Sequence, residues 1–365
     1  MKIRSVIVLG LGKVGSLVGT LLHKTGFAVT GADIHAKDDL PFPVITTDMA
    51  DMKRFTNKFR KFDAVISCLP YKYNLDVATA AHKQAVHYFD LTEDVPTTKA
   101  IIKMSRTAKA VMAPQCGLAP GFIAIVGASL AADFTKIRSI KLRVGALPQN
   151  PTGLLGYAFN WSPEGVVNEY LNDCEVIENG QHKWVSPMEW HEKLFISGIQ
   201  LEAFTTSGGL GTMCETFLGR VDNLDYKSIR YPGHVQQMNF FFHELLMRED
   251  RKKAGEILTY AKPPVNDDVV YIHASAEGLK GTQLFRDEFV NAYYPIMIDG
   301  KRWRAISWTT AASACAVMEM VSKGCLPDRG FIKQEDICLN DFLKTGNGRL
   351  YSGEAHSGEP ESTMP

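Results

Sequence analysis

The chain has 365 residues, of which 45% are hydrophobic and 22% charged, and its 40 basic side chains balance 40 acidic ones. This length and composition predict two globular domains and do not suggest a disordered or fibrous chain. The zero net charge gives no indication of the basic surface that nucleic-acid binding requires. No stretch reaches the roughly 18 apolar residues of a membrane span, and the opening residues lack the apolar segment of a signal peptide.

The seven cysteines are scattered along the chain, and no two of them form a CxxC pair. An odd, dispersed set is typical of reduced thiols and not of a disulfide framework or a zinc site. We therefore expect a soluble, cytoplasmic protein that binds no metal, no nucleic acid and no membrane.

Strand and helix patterns alternate over residues 1–118. Short apolar runs, typical of strands buried on both faces, predict strands at 6–9, 27–32, 64–67, 87–90 and 110–112. Amphipathic spacing predicts helices at 14–22, 52–62, 75–84 and 97–108. Such alternation implies right-handed βαβ crossovers, so we predict an α/β domain with a Rossmann doubly wound parallel sheet.

The pattern changes after Pro120. Residues 137–146 alternate apolar and polar side chains, as in a strand with one covered face, and shorter strands are predicted at 175–177, 269–274 and 294–298. We assign residues 119–307 to a second, α+β domain for substrate binding and dimerisation. An Ala-rich helix over 308–323 opens a segment, 308–345, that is expected to return to the first domain. Residues 352–365 are predicted to be a disordered tail.

A G-x-G-x-x-G run lies between the first predicted strand and the first predicted helix, and the cofactor contacts predicted within it are Gly10, Gly12, Lys13, Val14 and Gly15. The first glycine permits a tight turn, the second lets the backbone approach a pyrophosphate, and the third lets helix and strand pack closely. The helix N-terminus offers N–H groups to the phosphates. This context favours a dinucleotide site over a simple strand-to-helix turn.

Asp33 closes the second predicted strand, where an acid accepts hydrogen bonds from the adenosine ribose. Its charge would repel a 2′-phosphate and so favours NAD over NADP, although the nearby Lys37 lessens that preference. Asp48 is a candidate contact on the adenine side, with an ordinary surface acid as the alternative. The loop after the next strand of the sheet is expected to line the cofactor groove with Cys68, Leu69 and Pro70.

Three segments resemble the saccharopine dehydrogenase-like family. Residues 117–121 (GLAPG) are similar to the G-L-x-P-G segment at the family's domain junction, residues 161–165 (WSPEG) to its W-S-P-x-G stretch, and residues 230–233 (RYPG) to its R-Y-x-G segment. With the glycine motif and the late Ala-rich helix, the resemblance spans most of residues 3–325. Within the family, the compact length and the pairing of the last two segments are most similar to the L-lysine 6-dehydrogenases.

The resemblance implies NAD-dependent oxidative deamination of the ε-amine of L-lysine, with release of ammonia and a semialdehyde that cyclises to piperideine carboxylate. It also implies a small-molecule amino-acid substrate and a homodimer or higher homo-oligomer. Two alternatives stay open: a saccharopine or opine-type dehydrogenase that acts on a secondary amine, and a non-catalytic NAD(H)-sensing protein. The opine substrate needs further cations, for which Arg138, Lys141 and Arg143 are candidates unless they lie on a solvated strand face.

Oxidation of a primary amine needs a proton acceptor, because an alkylammonium with a pKa of about 10.4 arrives protonated. Asp90, at the end of a predicted strand, is the first candidate for the base or ammonium anchor, with a helix cap or a ribose contact as the alternative. Cys116 resembles a cysteine near the family's active site and is otherwise a small buried hydrophobe. His234 has the pKa range for proton shuttling, with a structural histidine as the alternative.

Arg230 is the candidate partner of the substrate carboxylate, because a planar guanidinium binds carboxylates through two parallel hydrogen bonds. A structural ion pair with an acid such as Glu215 is the alternative. Tyr71 is a candidate for stacking on, or hydrogen bonding to, the substrate or nicotinamide, and Trp161 for lining the pocket. For both aromatic residues the alternative is packing in the core.

Overall fold

The computed structural model describes residues 2–37, 39–47 and 57–353. Two compact units divide the chain: one runs from Met1 to Gly117 and again from Thr309 onward, and the other from Leu118 to Trp308. The predicted tail lies outside the described residues beyond Gly353. Strands are numbered β1 to β17 in chain order over the described residues.

Seven parallel strands form the sheet of the first unit. They are β1 (Ser5–Leu9), β2 (Ala28–Asp33), β3 (Val44–Thr46), β4 (Ala64–Ser67), β5 (His87–Asp90), β6 (Val111–Ala113) and β17 (Gly330–Phe331). Their order is β3-β2-β1-β4-β5-β6-β17, so the chain reverses its direction of progress across the sheet between β1 and β4. Open α/β sheets bind their ligands at such a switch point. The predicted Rossmann fold is confirmed.

Helices Gly15–Lys24, Asn74–Gln84 and Val95–Ser105 connect these strands. The last one begins two residues before its predicted start, because Asp94 acts as N-cap and accepts the Thr97 N–H at 2.8 Å. The helix predicted over 52–62 lies partly outside the described residues. Its described part is a single 3₁₀ turn at Asn57–Lys61.

An 18-residue helix, Ala305–Ser322, corresponds to the predicted Ala-rich helix. It begins three residues earlier than predicted, because the carboxylate of Asp268 accepts its first two N–H groups at 2.7 and 3.0 Å. From Thr309 onward the helix belongs to the first unit. There the Cys315 sulfur lies 3.6 Å from the carbonyl oxygen of Val18, within the first helix of the Rossmann fold.

Glu319, near the end of that helix, holds the C-terminal segment of the first unit. Its side chain is 4% exposed. It accepts hydrogen bonds from the backbone N–H groups of Gly346 and Asn347 at 2.8 and 2.9 Å, and from the Asn347 side chain at 2.7 Å. The intervening chain supplies β17, which extends the sheet by pairing with β6.

The second unit is built on a mixed sheet of eight strands. They are β7 (Lys136–Pro148), β8 (Cys174–Glu178), β9 (Gln181–Val185), β10 (Glu192–Ile196), β11 (Ile199–Thr205), β12 (Val221–Arg230), β13 (Asp268–Lys280) and β14 (Gln283–Tyr293). The main order is β10-β11-β12-β7-β13-β14, with β8 paired to β12 and β9 to β8. Only β7 and β12 pair in parallel. Helices Phe122–Ala131, Pro163–Leu171, Met213–Phe217, His234–Asn239 and Arg251–Ala261 complete the predicted α+β architecture.

The strand predicted over 294–298 is shorter than expected. β14 ends at Tyr293, and β15 (Ile296–Ile298) begins after Pro295, which has no N–H to donate to a ladder. β15 pairs with β16 (Lys301–Trp303) as a separate two-stranded sheet. Across the described ranges, no helix is long and apolar enough to cross a membrane.

Replacement of Glu319 by alanine is expected to destabilise the first unit, because buried N–H donors lose their carboxylate acceptor. We expect the free energy of unfolding to fall by about 2 to 3 kcal/mol, measured by urea titration. The same substitution at Glu256, whose side chain is 64% exposed, is the control and should cause a change below about 0.5 kcal/mol. Equal stability of Glu319→Ala and wild type would contradict this role.

Candidate functional site

The glycine-rich loop joins β1 to helix Gly15–Lys24 at the switch point of the sheet. Gly10 has a φ of +82°, a left-handed conformation that side chains disfavour. A Cβ on Gly15 would lie 1.8 Å from the carbonyl oxygen of Gly10, so only glycine permits this contact. A Cβ on Gly12 would meet no atom within 4 Å. Gly10 therefore allows the turn, Gly15 allows the close packing, and the space next to Gly12 is open.

The helix that follows the loop has an N-terminus suited to an anion. Val14 is its N-cap residue, and no side chain makes a capping hydrogen bond there. The first-turn N–H groups of a helix lack partners within the helix and carry the positive end of its dipole. Val14 is half-buried, and Lys13 is exposed beside it.

Asp33, the last residue of β2, holds the glycine loop from the side. Its Oδ2 accepts the Leu11 N–H at 2.6 Å, and its Oδ1 accepts the His35 N–H at 2.9 Å. The carboxylate thus lies next to the loop, where the sequence predicts the ribose contact. Asp48, the second candidate for the adenine side, lies outside the described residues.

The loop after β4 packs against the glycine loop. A Cβ on Gly10 would lie 3.0 Å from the carbonyl oxygen of Cys68 and 3.0 Å from Cδ2 of Leu69. Burial, and then the charge of Asp90, raise the pKa of the Cys68 thiol to about 12, so this thiol is uncharged at neutral pH. Pro70 is exposed and the following Tyr71 half-buried.

Asp90, the last residue of β5, is completely buried. Its Oδ1 accepts the N–H groups of Thr92 and Gln115 at 2.9 and 3.0 Å, and its Oδ2 accepts the Tyr88 hydroxyl at 2.5 Å. Burial raises the pKa of Asp90 to about 6, and the three hydrogen bonds oppose that rise because they stabilise the ionised form. The enclosure agrees with a structural role, whereas a pKa near neutrality is what acid–base catalysis requires.

Cys116 is a buried thiol. Its sulfur donates to the carbonyl oxygen of Ala113 at 3.1 Å, and burial raises its pKa far above the usual range. Gln334 donates from Nε2 to the Cys116 sulfur at 3.4 Å and to the carbonyl oxygen of Pro114 at 3.3 Å. This arrangement favours the packing alternative over nucleophilic chemistry. No sequence signal points to Gln334, which is 218 residues from Cys116 and is brought there when β17 pairs with β6.

Arg230, the last residue of β12, is buried among aromatic rings in the second unit. Its guanidinium carbon lies 4.7 Å from the ring centre of Tyr157 and 5.5 Å from that of Tyr170. Nε donates to the Tyr170 hydroxyl at 2.7 Å, and Nη1 to the carbonyl oxygen of Ile229 at 2.8 Å. Nη2 lies 3.7 Å from Oε2 of Glu169, which is too far for a hydrogen bond. The described residues thus leave N–H groups of Arg230 without an acceptor.

His234 lies behind Tyr170. Its Nδ1 is 2.9 Å from the carbonyl oxygen of Leu155, which can only accept, so Nδ1 carries the proton. Its Nε2 then accepts the Tyr170 hydroxyl proton at 2.9 Å, while the Tyr170 oxygen accepts from Arg230. Burial and the charge of Arg230 lower the pKa of His234 to about 3, so the ring is neutral. These contacts favour the structural alternative for His234 over proton shuttling.

Trp161 also reaches the surroundings of Arg230. Its Nε1 donates to the Tyr157 hydroxyl at 3.2 Å, and its ring packs against the apolar core of the second unit. Because the Tyr157 ring lies against the guanidinium, Trp161 supports a residue that contacts Arg230. The contacts favour packing as its main role.

Two further cations are buried in the second unit, and carboxylates hold both of them. Arg143 Nη2 lies 2.8 Å from Asp225 Oδ2, and its Nε also pairs with Glu192. Lys227 Nζ lies 2.8 Å from Glu192 Oε2. Although burial opposes it, the hydrogen bonds and charges of Arg143 and Lys227 lower the pKa of Glu192 to about 2. Arg143, a candidate for a second substrate carboxylate, is therefore already neutralised.

The predicted site residues fall into two groups. The first unit brings together the loop and sheet-edge residues Gly10, Gly12, Lys13, Val14, Gly15, Asp33, Cys68, Leu69, Pro70, Tyr71, Asp90 and Cys116. The second unit brings together Arg230, His234 and Trp161. In the parts of the chain that the structure describes, no group of three His, Cys, Asp or Glu side chains could hold a metal ion.

Comparison with known sequences assigns both units. The profile described as saccharopine dehydrogenase NADP binding domain matches residues 6–116, and the profile described as saccharopine dehydrogenase C-terminal domain matches residues 117–348. The chain belongs to the saccharopine dehydrogenase family. The resemblance carried by the three short motifs is confirmed at the level of the family.

Two curated relatives are saccharopine dehydrogenases described as NADP(+), L-glutamate-forming. The protein from Pyricularia oryzae is 25% identical over 253 residues, which cover 65% of this chain and 56% of the relative. The protein from Schizosaccharomyces pombe is 26% identical over 143 residues, which cover 38% of this chain and 32% of the relative. The chain spans about half the length of the first relative and a smaller share of the second.

A solved structure of this family shares the fold. The apo saccharopine dehydrogenase (L-Glu forming) from Saccharomyces cerevisiae matches with a TM-score of 0.71, covering 93% of this chain and 97% of that one. The sequence identity is 15%, so the likeness establishes the fold alone.

Asp90→Asn tests the electrostatics of the first group. The asparagine can accept the two N–H groups through Oδ1 and donate to the Tyr88 oxygen. In the wild type, the folded pKa of about 6 lies above the ordinary value of 3.8, so stability falls as pH rises through that window. Between pH 4 and pH 7, we expect the stability of Asp90→Asn relative to wild type to increase by about 2 kcal/mol in urea titrations. A difference that does not change with pH would contradict the raised pKa.

Proposed function

We propose that this chain is an NAD-dependent dehydrogenase that oxidatively deaminates the ε-amine of L-lysine, releasing ammonia and a semialdehyde that cyclises to piperideine carboxylate. The main support for this proposal is the surroundings of the Arg230 guanidinium. Unlike the buried Arg143 and Lys227, Arg230 has no carboxylate within hydrogen-bond distance among the described residues. One buried guanidinium of this kind suits a substrate with one carboxylate, which its planar fork would bind through paired hydrogen bonds.

The first unit has the features that a nicotinamide dinucleotide requires. Gly12 leaves open space over the loop, and the helix N-terminus supplies N–H groups and a positive dipole end for a pyrophosphate. The Asp33 carboxylate lies beside the loop, where it would accept hydrogen bonds from a ribose and repel a 2′-phosphate. We therefore propose NAD, although the curated relatives are named for NADP(+).

The proposed reaction assigns separate roles to the protein's own residues. A dinucleotide held by the glycine loop would supply the acceptor for the hydride that the substrate loses from its amine-bearing carbon. The ammonium first loses a proton, because a protonated nitrogen has no lone pair to support loss of hydride. We assign this proton to Asp90, whose pKa of about 6 leaves it ionised at neutral pH. Water then adds to the imine carbon of the substrate, and ammonia leaves as the carbonyl forms.

Other residues support these roles through their contacts. Tyr170 and His234 hold Arg230 in position, because the hydrogen bonds between them have one fixed direction. Cys116 and Gln334 hold the turn whose Gln115 N–H donates to Asp90. Tyr71 stays a proposed contact of the substrate or the nicotinamide. The homo-oligomeric state and the cytoplasmic location also stay predictions.

A saccharopine or opine-type dehydrogenase is the second candidate, favoured by the family to which the chain belongs. Such a substrate carries a further carboxylate. Two of the three cations proposed to receive it are engaged elsewhere: Arg143 is held by Glu192 and Asp225, and the exposed Arg138 pairs with Glu277 at 3.1 Å, which leaves Lys141. We therefore propose lysine ahead of the opine-type substrate.

Gly12→Ala is expected to weaken NADH binding without changing stability, because the added Cβ meets no protein atom and occupies the space over the loop. We expect at least a roughly tenfold rise in the Kd for NADH in a fluorescence titration. Gly255→Ala, whose Cβ would make only ordinary contacts at 3.7 Å in the second unit, is the matched control. An unchanged Kd in Gly12→Ala would contradict the assignment of the loop.

The purified protein is expected to reduce NAD in preference to NADP with L-lysine and to release ammonia. Asp90→Asn should lower kcat by roughly 10²- to 10⁴-fold, because a neutral amide cannot accept the proton. Wild-type kcat/KM should fall as pH drops below about 6, where Asp90 becomes protonated.

Arg230→Lys should raise KM for lysine, because a lysine ammonium cannot replace the bidentate fork. NADH absorbance measures all three effects.

Glu256→Gln, at an exposed side chain, is the control for these kinetics. Full activity in a folded Asp90→Asn variant would assign Asp90 a structural role only. Turnover of saccharopine without turnover of lysine would move the chain to the opine-type alternative. Binding of NADH without turnover of any amine would favour the NAD(H)-sensing alternative.

A further inference from the structure

Strand β14 (Gln283–Tyr293) forms one edge of the sheet in the second unit, and among the described residues it pairs with β13 alone. The two strands pair in continuous register along the whole of β14, through a two-residue turn at Gly281–Thr282. In an antiparallel hairpin with such a turn, the residues that close the turn exchange two hydrogen bonds, and pairs of this kind alternate along the strands. Gln283 and the other odd-numbered residues of β14 therefore direct their backbone groups toward β13. The even-numbered residues direct their N–H and C=O groups outward.

The outer edge of β14 carries two opposite charges between exposed apolar side chains. Leu284, Phe285 and Val290 are 58%, 43% and 41% exposed, so these side chains are open to solvent. The side chains of Arg286 and Glu288 are also exposed, and their charged groups lie 2.6 Å apart. A long exposed edge strand is a template for pairing with another chain. The order of the side chains along β14 then determines which chain it can accept.

The side chains of β14 are arranged symmetrically about Asp287. Residues at equal distances before and after it are, in turn, two opposite charges, two phenylalanines and two aliphatic side chains. These pairs are Arg286 and Glu288, Phe285 and Phe289, and Leu284 and Val290. A second copy of β14, antiparallel to the first and related to it by a two-fold axis at Asp287, places the members of each pair opposite each other. Opposite charges and aromatic pairs stabilise neighbouring antiparallel strands, so β14 is complementary to itself.

The backbone of β14 favours the same register. Arg286 opposite the partner's Glu288, and Leu284 opposite the partner's Val290, are pairs of even-numbered residues. Their N–H and C=O groups face the free edge, so each of these pairs can exchange two hydrogen bonds. The side chains and the backbone therefore select one and the same alignment of two copies.

The charges also act against the neighbouring registers. A two-fold axis at Arg286 or at Glu288 brings two like charges face to face, which destabilises antiparallel strands. With the axis at Asp287, the like charges that meet are those of the two Asp287 carboxylates. In each copy Lys280 Nζ lies 2.6 Å from Asp287 Oδ2 and compensates that charge. Charges in the middle of an edge strand ordinarily oppose pairing, but their order here favours pairing with a second copy.

We propose that two copies of this chain associate through β14, antiparallel and with a two-fold axis at Asp287, so that the sheets of their second units join into one continuous sheet. The pairing covers the exposed side chains of Leu284, Phe285 and Val290 and satisfies the outward backbone groups of both strands. The inference does not depend on the proposed reaction. It assigns the expected self-association to a defined edge and a defined register.

The test is the molecular mass of the full chain in solution, measured by sedimentation velocity over a wide range of protein concentration. We expect the wild type to form a dimer. Arg286→Glu and Glu288→Arg should each raise the dimer Kd by at least roughly 100-fold, because each variant brings two like-charged pairs together across the two-fold axis. An equimolar mixture of the two variants should form a heterodimer, because the acidic side chains of one variant then face the basic side chains of the other.

Lys252 and Glu256 form another exposed ion pair of the same unit, on helix Arg251–Ala261. Lys252→Glu and Glu256→Arg are therefore the matched controls, and both should keep the wild-type mass. An exposed ion pair contributes little stability, so all four variants should stay folded. A monomeric wild type overturns the inference, and so does a wild-type mass that both β14 variants retain. Two monomeric β14 variants that do not associate when mixed overturn it as well, even if the wild type is a dimer.

Discussion

A guanidinium can be buried only where the protein supplies acceptors and compensating charge, and much of the second unit is arranged around that requirement at Arg230. Helix Pro163–Leu171 presents both Tyr170 and Glu169 to it. The carbonyl oxygen of Leu155 fixes the tautomer of His234, whose other ring nitrogen accepts the Tyr170 hydroxyl proton. A single buried cation thereby links the end of β12, two helices and a distant loop. Its remaining N–H groups have no hydrogen-bond acceptor among the described residues.

The first unit also buries a charged group, in this case a carboxylate, and supplies hydrogen-bond donors to it. Asp90 is enclosed at the end of β5, and its carboxylate depends on donors from Tyr88, Thr92 and Gln115. The Gln115 donor lies in a turn that Gln334 holds through Pro114 and Cys116. The C-terminal segment therefore contributes to the electrostatics of a residue near the middle of the Rossmann fold. Burial keeps the pKa of Asp90 near 6, the range in which a carboxyl group can exchange a proton at neutral pH.

Local sequence patterns predicted the parallel strands well, because strands buried on both faces are short apolar runs with little ambiguity. The predicted and observed boundaries are identical for β4 and β5. The limits of helices were less predictable, because they depend on single capping contacts. Asp94 and Asp268 each start a helix earlier than the apolar spacing indicates. Pro295 likewise interrupts a stretch whose side chains suit a strand.

The sequence by itself determined the Rossmann fold, the glycine loop and the family, because these depend on residues close together in the chain. It also indicated Asp90, which ends a predicted strand, and Arg230, which lies in a segment that resembles the family's R-Y-x-G stretch. Only the tertiary structure decided which charges are neutralised. Arg143 and Arg230 look alike in the sequence, yet strand pairing places carboxylates against the first and leaves the second with uncommitted N–H groups. Glu169 and Gln334 gave no local signal, because their partners lie 61 and 218 residues away (230 − 169 and 334 − 116) and meet them only in the folded chain.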